Sequence, residues 1–393
     1  MNLTLSHAHG PTEPALLETT IGDALENAAA QWGANLALVS RHQGIRWTWT
    51  ELNAQVDRIA AGLLAQGVAK GDRVGIWAPN CAEWTVTQFA TAKIGAILVT
   101  INPAYRVSEV EYALNKVGCS VLITAPSFKT SDYVGMLREL GPTKLPQLRL
   151  MVTLGEDSHD GFLPWAKLAV APDAAALKAV GRTLDRNDAI NIQFTSGTTG
   201  FPKGATLTHR NILNNGLMTA RTIKAGPADR ICIPVPLYHC FGMVLGNLVA
   251  LTSGAAMVYP GEAYDPKLAL EAVQAEACTA LYGVPTMFIT ILNQPDLADY
   301  DVSTLRTGIM AGSPCPIATM REVIAKLNMA EVTIGYGMTE TSPLTTQTAT
   351  DDPLEERVTT VGRPQPHAES KIVGPDGQTL PIGEQGEYCA RGY

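Results

Sequence analysis

Charge is scarce in this sequence. Only 17% of the residues are charged, and 29 Lys and Arg residues stand against 37 Asp and Glu residues, which leaves a formal net charge of −8. This balance offers no basic surface that could neutralise a nucleic-acid backbone, so DNA and RNA are excluded as expected partners. Hydrophobic residues make up 46% of the 393 residues. We therefore expect a globular chain with at least two packed subdomains.

Signals of secretion and membrane insertion are also missing. No basic residue precedes Arg41, so neither a secretory signal nor an Arg-rich transit peptide is expected. The most apolar stretch, residues 244–258, is interrupted by Gly246, Asn247 and Gly254 and is too short to span a bilayer. These features predict a cytoplasmic protein with no stable membrane insertion.

Cysteines with metal-binding spacing are absent as well. The seven cysteines form no CxxC pair and fall mostly in apolar segments, as buried thiols do in a reducing compartment. We expect neither a metal site nor a disulfide at Cys81, Cys119, Cys232, Cys240, Cys278, Cys315 and Cys389.

What the sequence does contain is a repeated alternation of strands and helices. It runs through residues 46–124, where Thr50 is predicted to cap the first helix, and it resumes over 189–335. Residues 126–186 are rich in Pro, Asp and Gly and are predicted to connect the two parts. The pattern predicts two α/β units with mostly parallel sheets. Residues 370–391 instead predict an antiparallel hairpin.

A phosphate-binding loop is predicted between Phe194 and Gly204, after an apolar strand and before a helix. Its glycines let backbone N–H groups approach an anion, its hydroxyls donate to phosphate oxygens, and Lys203 adds a positive charge. The spacing differs from that of P-loop NTPases because no Ser or Thr follows Lys203. A surface turn rich in Gly and Thr is the alternative. The residues concerned are Thr195, Ser196, Gly197, Thr198, Thr199, Gly200, Lys203 and Gly204.

A second ligand-binding loop is predicted at residues 336–340, at the carboxyl end of a strand, where open α/β sheets place ligands. Tyr336 offers an aromatic face for a purine, Thr339 a hydroxyl for a phosphate, and Glu340 a carboxylate for Mg²⁺. Gly337 and Met338 complete this loop. The alternative is a helix cap by Thr339 beside a solvated Glu340.

Together these loops resemble the adenylate-forming (AMP-binding) superfamily, and phrases such as LYHCFGMVLG and MAGSPCP look closest to its medium-chain fatty acyl-CoA ligase branch. The resemblance covers nearly the whole chain. It implies ATP-dependent activation of a fatty acid to acyl-AMP and then acyl-CoA, with AMP and pyrophosphate released. ATP, Mg²⁺, CoA and a carboxylic acid are the implied ligands, and a homodimer is possible.

The resemblance also implies roles for individual residues. Ser196, Thr198, Thr199, Gly200 and Lys203 would hold the β- and γ-phosphates, Thr339 the α-phosphate and Glu340 the Mg²⁺. Gly312, Ser313 and Pro314 would form one wall of the adenine site, opposite Tyr336. His239 would contact the acid by size and hydrogen bonding, although a lone histidine in an apolar run is equally often a core residue. The acyl chain would occupy a slot near residues 243–251 or 282–288.

The fold implied by the resemblance is α/β, with two stacked, mostly parallel sheets covered by helices. We predict a first α/β subdomain at 1–182, a second one with the nucleotide site at 183–366, and the start of a small antiparallel β-barrel at 367–393. Relatives continue past Tyr393 with a ribose-binding aspartate and a C-terminal lid domain that carries a lysine. We therefore expect a truncated and impaired enzyme. The alternatives are a non-catalytic AMP- or acyl-adenylate-binding module and a ligase for an aryl or short functionalised acid.

Overall fold

A computed structural model describes residues 4–195 and 201–393. The strands in these ranges are β1 (His7–His9), β2 (Leu36–Ser40), β3 (Ile45–Thr48), β4 (Arg73–Trp77), β5 (Ile97–Thr100), β6 (Val121–Thr124), β7 (Ser127–Phe128), β8 (Ser131–Asp132), β9 (Leu150–Thr153), β10 (Leu163–Pro164), β11 (Ala189–Thr195), β12 (Lys203–Thr208), β13 (Arg230–Cys232), β14 (Ala256–Tyr259), β15 (Ala280–Gly283), β16 (Thr307–Ala311), β17 (Glu331–Gly337), β18 (Leu344–Gln347), β19 (Arg363–Pro364), β20 (Glu369–Val373) and β21 (Glu387–Arg391).

The α-helices in the same ranges are α1 (Ile21–Trp32), α2 (Trp49–Ala65), α3 (Ala82–Ile94), α4 (Val107–Val117), α5 (Tyr133–Lys144), α6 (Trp165–Leu168), α7 (Ala174–Gly181), α8 (His209–Thr222), α9 (Cys240–Gly242), α10 (Val249–Ser253), α11 (Pro266–Glu276), α12 (Pro285–Leu292), α13 (Ile317–Lys326) and α14 (Leu354–Thr359). Short 3₁₀ turns lie at Arg41–Gln43, Leu297–Asp299 and Thr339–Thr341, and Met243–Leu248 is π-helical. None of the helices described is both long and apolar enough to cross a bilayer.

Two large sheets form the body of the described structure, and the predicted α/β class is confirmed. The first has the strand order β10-β9-β6-β4-β5-β11-β12, and only β12 runs antiparallel to its neighbour. The second has the order β19-β18-β17-β16-β15-β13-β14-β2-β3, with a parallel centre and antiparallel edges. Helices connect the parallel strands, as crossover connections require.

The two sheets share one hydrophobic core. Helix α3 is buried along nearly its whole length and has no polar face, which is why it lies inside the molecule rather than on its surface. The core cluster around it includes Ile76 and Leu98 from the first sheet and Leu38 and Ile231 from the second. Each sheet contains strands from both sides of position 183. Strands β2 and β3 precede it but belong to the second sheet, whereas β11 and β12 follow it but belong to the first. The division of the chain at 182/183 stays a prediction.

A small antiparallel sheet is formed at the end of the chain. Strands β20 and β21 pair as predicted, and β1 joins them on the other side. His7 Nε2 and Glu369 Oε1 lie 2.6 Å apart and link β1 to β20. The participation of β1 was not predicted, since three residues near the chain start carry no periodic signal.

Two local predictions are wrong. Helix α2 is capped by Thr48 instead of Thr50: the Thr48 hydroxyl accepts from the Glu51 backbone N–H, and the Glu51 carboxylate accepts from the Thr48 N–H at 2.8 Å. This reciprocal pair satisfies two backbone donors, which a cap at Thr50 would not. Residues 126–186 are also more than a connection, because they supply α5 and the sheet strand β9, which pairs with β6. Four-residue strands such as β9 are too short to show periodicity.

Candidate active site

The predicted phosphate loop joins two strands of a hairpin. Strand β12 runs back antiparallel to β11 and places Lys203 opposite Thr195. The helix predicted after the loop is present as α8, which begins at His209. The strand Lys203–Thr208 between the loop and this helix was not predicted, although its threonine and leucine favour an extended chain. Thr195 and Lys203 thus mark the two ends of the loop. Ser196, Gly197, Thr198, Thr199 and Gly200 lie outside the described residues.

The predicted second loop begins within β17, whose last two residues are Tyr336 and Gly337, and it faces the hairpin. Its Glu340 accepts a hydrogen bond from the Thr195 hydroxyl at 3.3 Å, so the two loops meet although 145 positions separate these residues. Thr339 is buried, and its hydroxyl lies 3.8 Å from Cys240 Sγ. Glu340 is exposed. The meeting point therefore combines an accessible carboxylate with hydroxyl groups.

A cavity of about 730 Å³ lies on one side of this loop, and we call it the glycine-lined cavity. Strands β16 and β17 are parallel neighbours, and Ala311 is paired with Gly335, so the residues after both strands emerge together. Gly312 has a φ of +91°, which favours glycine. The lining consists of Gly312, Ser313, Pro314, Cys315, Ile334, Gly335, Tyr336, Gly337 and residues 358–362.

The segment 358–362 was not given a role from the sequence. It lines the glycine-lined cavity together with Tyr336, a residue that is 39% exposed and whose ring packs edge-on against Tyr388 at 5.6 Å between ring centroids. Gly362 has a φ of +78°, and a β-carbon there would lie 2.1 Å from the carbonyl carbon of Gln347. The glycine is thus required both by its backbone conformation and by the close approach of β18. The sequence feature that could have indicated this segment is the Val361-Gly362 pair before Arg363.

A second cavity of about 630 Å³ adjoins the first, and the two share Gly312, Gly335 and Gly337. We call it the aromatic-lined cavity because rings form much of its wall. Its lining includes Asn102, Tyr105, Phe194, Thr195, Pro202, Tyr238, His239, Cys240, Phe241, Leu245, Ala311, Met338, Thr339, Glu340, Pro343 and Leu344.

The predicted acyl slot is only partly at this wall. Leu245 lines the cavity, whereas Met243 is buried and packs against Gln193, with 2.8 Å between Sδ and Nε2. Tyr282 is fully buried and lies behind Phe241, with ring centroids 5.9 Å apart. Phe241 therefore separates Tyr282 from the cavity. Tyr105, Asn102 and Phe194 were not predicted, because they come from the first sheet and only the packing of the two sheets brings them here.

His239 lines the aromatic-lined cavity just before α9. Its Nδ1 accepts a hydrogen bond from the Phe241 backbone N–H at 3.1 Å, which leaves Nε2 as the protonated nitrogen of a neutral ring. Desolvation by the surrounding protein lowers the pKa of His239 below its usual value. Burial also raises the pKa of the neighbouring Cys240 thiol to about 12. The site thus presents a neutral imidazole and an unreactive thiol.

A buried asparagine that the sequence did not single out holds the second loop from behind. Asn215 on α8 accepts from the Leu344 backbone N–H at 3.1 Å and donates to the Leu344 carbonyl at 2.8 Å. Leu344 follows the loop and lines the aromatic-lined cavity. The two residues are 129 positions apart, so no local pattern reveals the contact.

Comparisons with known proteins agree with this arrangement. The family model described as AMP-binding enzyme matches residues 25–393. The mitochondrial medium-chain acyl-CoA ligase ACSF2 of Danio rerio is 42% identical over 408 aligned residues, which cover 100% of this chain and 67% of that relative. The putative acyl-CoA synthetase YngI of Bacillus subtilis is 43% identical, with 96% of this chain and 72% of that protein covered.

Solved structures show the same fold. The anthranilate CoA ligase AuaEII in complex with anthranoyl-AMP superposes with a TM-score of 0.84 at 25% identity, over 96% of this chain and 70% of that one. A luciferase-like enzyme from the mealworm Zophobas morio gives a TM-score of 0.86 at 19% identity, over 98% and 88%. The family match, the curated relatives and the shared fold agree, and this chain belongs to the AMP-binding enzyme family.

Proposed function

We propose that this chain carries the site at which ATP activates a fatty, medium-chain carboxylic acid to an acyl-adenylate, for later transfer of the acyl group to CoA. The observation that carries the proposal is the junction of the two cavities at Gly312, Gly335 and Gly337, next to the Thr195–Glu340 contact. A base and an acyl chain on either side of this junction would bring the carboxylate and the α-phosphate together. The names of the relatives ACSF2 and YngI support an acyl-CoA ligase.

The nucleotide would lie across the glycine-lined cavity. Its adenine would stack between the backbone of Gly312–Pro314 and the ring of Tyr336, where the missing side chain at Gly312 leaves room for a flat base. The triphosphate would extend past Thr339 to the hairpin loop, with Lys203 as a point charge at its end. The proposed contacts of Ser196, Gly197, Thr198, Thr199 and Gly200 with the β- and γ-phosphates belong to this arrangement.

The residues at the junction fit a magnesium ion. Mg²⁺ binds oxygen ligands and commonly uses one carboxylate together with substrate phosphates, and Glu340 presents an accessible carboxylate beside the Thr195 hydroxyl. When bound, the ion would neutralise charge on the phosphates. Glu340 would hold it close to the pyrophosphate that departs.

The first step forms a bond between a carboxylate oxygen and the α-phosphorus of ATP and breaks the bond to the pyrophosphate. The carboxylate is already ionised at neutral pH, so no base is required. What this chain must supply is alignment and donors toward the phosphates, because both reactants are negatively charged. The neutral His239 ring would contribute its Nε2–H as a donor in the aromatic-lined cavity.

In the second step the CoA thiol loses its proton and its sulfur bonds to the acyl carbon, while the bond from that carbon to the phosphate oxygen breaks and AMP departs. The Cys240 thiol does not compete as a nucleophile, because its raised pKa keeps it protonated. The chain spans 67% of the length of the ACSF2 relative, so this second step is proposed for the whole protein.

Binding of stable acyl-adenylate analogues tests the proposal without requiring turnover. N-acylsulfamoyl adenosines with acetyl, octanoyl and benzoyl groups would be titrated calorimetrically against the 393-residue chain. Each methylene that is buried contributes about 0.8 kcal/mol, so the octanoyl analogue is expected to bind roughly 50-fold tighter than the acetyl analogue even when only half of the additional methylenes are buried. Equal affinities would contradict a fatty acid as substrate. A preference for the benzoyl analogue would favour an aryl acid.

Lys203→Ala tests the triphosphate position. Lys203 is exposed, so its contact with phosphate is screened by solvent, and we expect about tenfold weaker binding of MgATP. AMP affinity should not change, because AMP lacks the β- and γ-phosphates. Lys116→Ala, an exposed lysine on α4, serves as the control and should affect neither ligand. An equal loss for AMP and MgATP would place Lys203 elsewhere in the site.

A further inference from the structure

We infer that Asn215 is a positioning residue for the loop at 336–340, an inference that rests on the proposed function. Its side-chain amide satisfies both backbone groups of Leu344, accepting from the N–H at 3.1 Å and donating to the carbonyl at 2.8 Å. Asn215 is only 1% exposed, so these bonds form without competition from water. The amide acts as a two-point clamp on the backbone that follows the loop.

By holding Leu344, the clamp also fixes the position of the residues that would contact the nucleotide. Leu344 is paired with Gly337 across β17 and β18, and its side chain packs against Gly335 so closely that a β-carbon on Gly335 would lie 2.8 Å from Leu344 Cδ2. Pro343, the preceding residue, accepts from the Met338 N–H at 3.0 Å. A shift of Leu344 would therefore move the backbone on both sides of Thr339 and Glu340.

The helix that carries Asn215, α8, is connected at its start to the hairpin β11–β12 that holds the phosphate loop. Strand β12 begins at Lys203 and runs directly into α8, whose N-cap Thr208 and residue Asn211 exchange hydrogen bonds of 2.9 and 3.2 Å. Asn215 lies about one turn farther along the same helix. Strand β12 and helix α8 thus connect Lys203 to Asn215, which holds Leu344 129 positions away in sequence, just after the loop that carries Glu340.

The chain supplies its own control in the preceding residue. Asn214 is fully buried and makes the same kind of clamp, accepting from the Leu17 N–H at 2.7 Å and donating to the Leu17 carbonyl at 3.0 Å. Leu17 lies before α1 and lines neither cavity. The two asparagines therefore match in helix, in burial and in the two bonds to a leucine backbone. Each makes one further bond, from Asn215 to the Tyr393 hydroxyl at 3.3 Å and from Asn214 to the Arg210 carbonyl at 2.8 Å.

The test compares Asn215→Ala with Asn214→Ala. Each variant leaves a buried N–H and C=O without a partner, so both should lower Tm by a similar number of degrees. Only Asn215→Ala is expected to weaken binding of AMP and of octanoylsulfamoyl adenosine, by at least about tenfold, because small displacements of ligand-positioning groups have effects of that size or larger. Asn214→Ala should bind both ligands as the unchanged chain does.

Further variants and outcomes separate this inference from the proposed function. Asn215→Ser keeps a hydroxyl near Leu344 and should give an intermediate affinity, which remains informative if Asn215→Ala does not fold. If the unchanged chain bound neither ligand, the proposed function would be wrong. If it bound both and each asparagine variant lowered Tm without changing affinity, Asn215 would be structural only, and the inference would be overturned.

Discussion

The two cavities of the site are built in different ways. Four of the thirteen residues that line the glycine-lined cavity are glycines, Gly312, Gly335, Gly337 and Gly362, so backbone forms that part of its wall, and the first three also border the aromatic-lined cavity. The aromatic-lined cavity is bounded largely by side chains, among them Tyr105, Phe194, Tyr238 and Phe241. A backbone wall has one shape and tolerates little change, whereas a side-chain wall changes its volume with each substitution. Recognition of the nucleotide is therefore expected to be rigid, and recognition of the acid to be adjustable.

The largest effect is expected from Gly362→Ala. The new β-carbon would meet the backbone of Gln347 at 2.1 Å, at a φ of +78° that disfavours alanine, so the 358–362 wall must move. We predict roughly 100-fold weaker AMP binding, measured calorimetrically. The preference between octanoyl and acetyl analogues should stay the same.

Gly377→Ala is the matched control for that experiment. Gly377 has nearly the same φ, +76°, but a β-carbon there would have no heavy atom within 4 Å. Gly377→Ala should lower stability through backbone strain alone and should leave the affinity for AMP unchanged. Equal losses of AMP affinity in both variants would show that strain, and not the position of the wall, accounts for the effect, and the contrast between the cavities would fail.

This contrast also explains how much could be predicted from the sequence. Gly312 and Tyr336 line one cavity because they lie at the carboxyl ends of adjacent parallel strands, and strand ends are visible as apolar runs that stop at glycine. The alternation of strands and helices predicted the α/β fold for the same reason. Such features depend on local chemistry, which a single segment displays.

The parts that could not be predicted depend on contacts between distant segments. Tyr105 reaches the aromatic-lined cavity from the first sheet, and Tyr282 is kept away from it by Phe241, although both are aromatic residues near strand ends. Asn215 is one polar residue inside a helix, where the sequence shows no sign of its partner Leu344. The hairpin return after the phosphate loop was missed because Lys203–Thr208 is short and half polar. Tertiary packing decided each of these cases.

A smaller effect is expected from Phe241→Leu in the aromatic-lined cavity. The substitution removes part of a ring that covers Tyr282 and should deepen the cavity without moving backbone. Differences of one or two methylenes in apolar pockets change affinity by about tenfold, so the preferred acyl analogue should become longer, with decanoyl gaining about tenfold on octanoyl. AMP affinity is the internal control. A loss of AMP binding equal to the change in acyl preference would show that the two cavities are not independent.

The smallest effect concerns pH and His239. Burial lowers the pKa of this imidazole, so the neutral ring is favoured and protonation begins only at a pH below the usual value of about 6.5. Between pH 6.5 and 7.5 the ring should stay neutral, and affinity for the octanoyl analogue should be constant within about twofold. His239→Gln keeps a side-chain hydrogen-bond donor and removes the titration, so its affinity should also stay constant below pH 6.5. A step in affinity near pH 6.5 that His239→Gln abolishes would show that the ring titrates normally and is open to solvent.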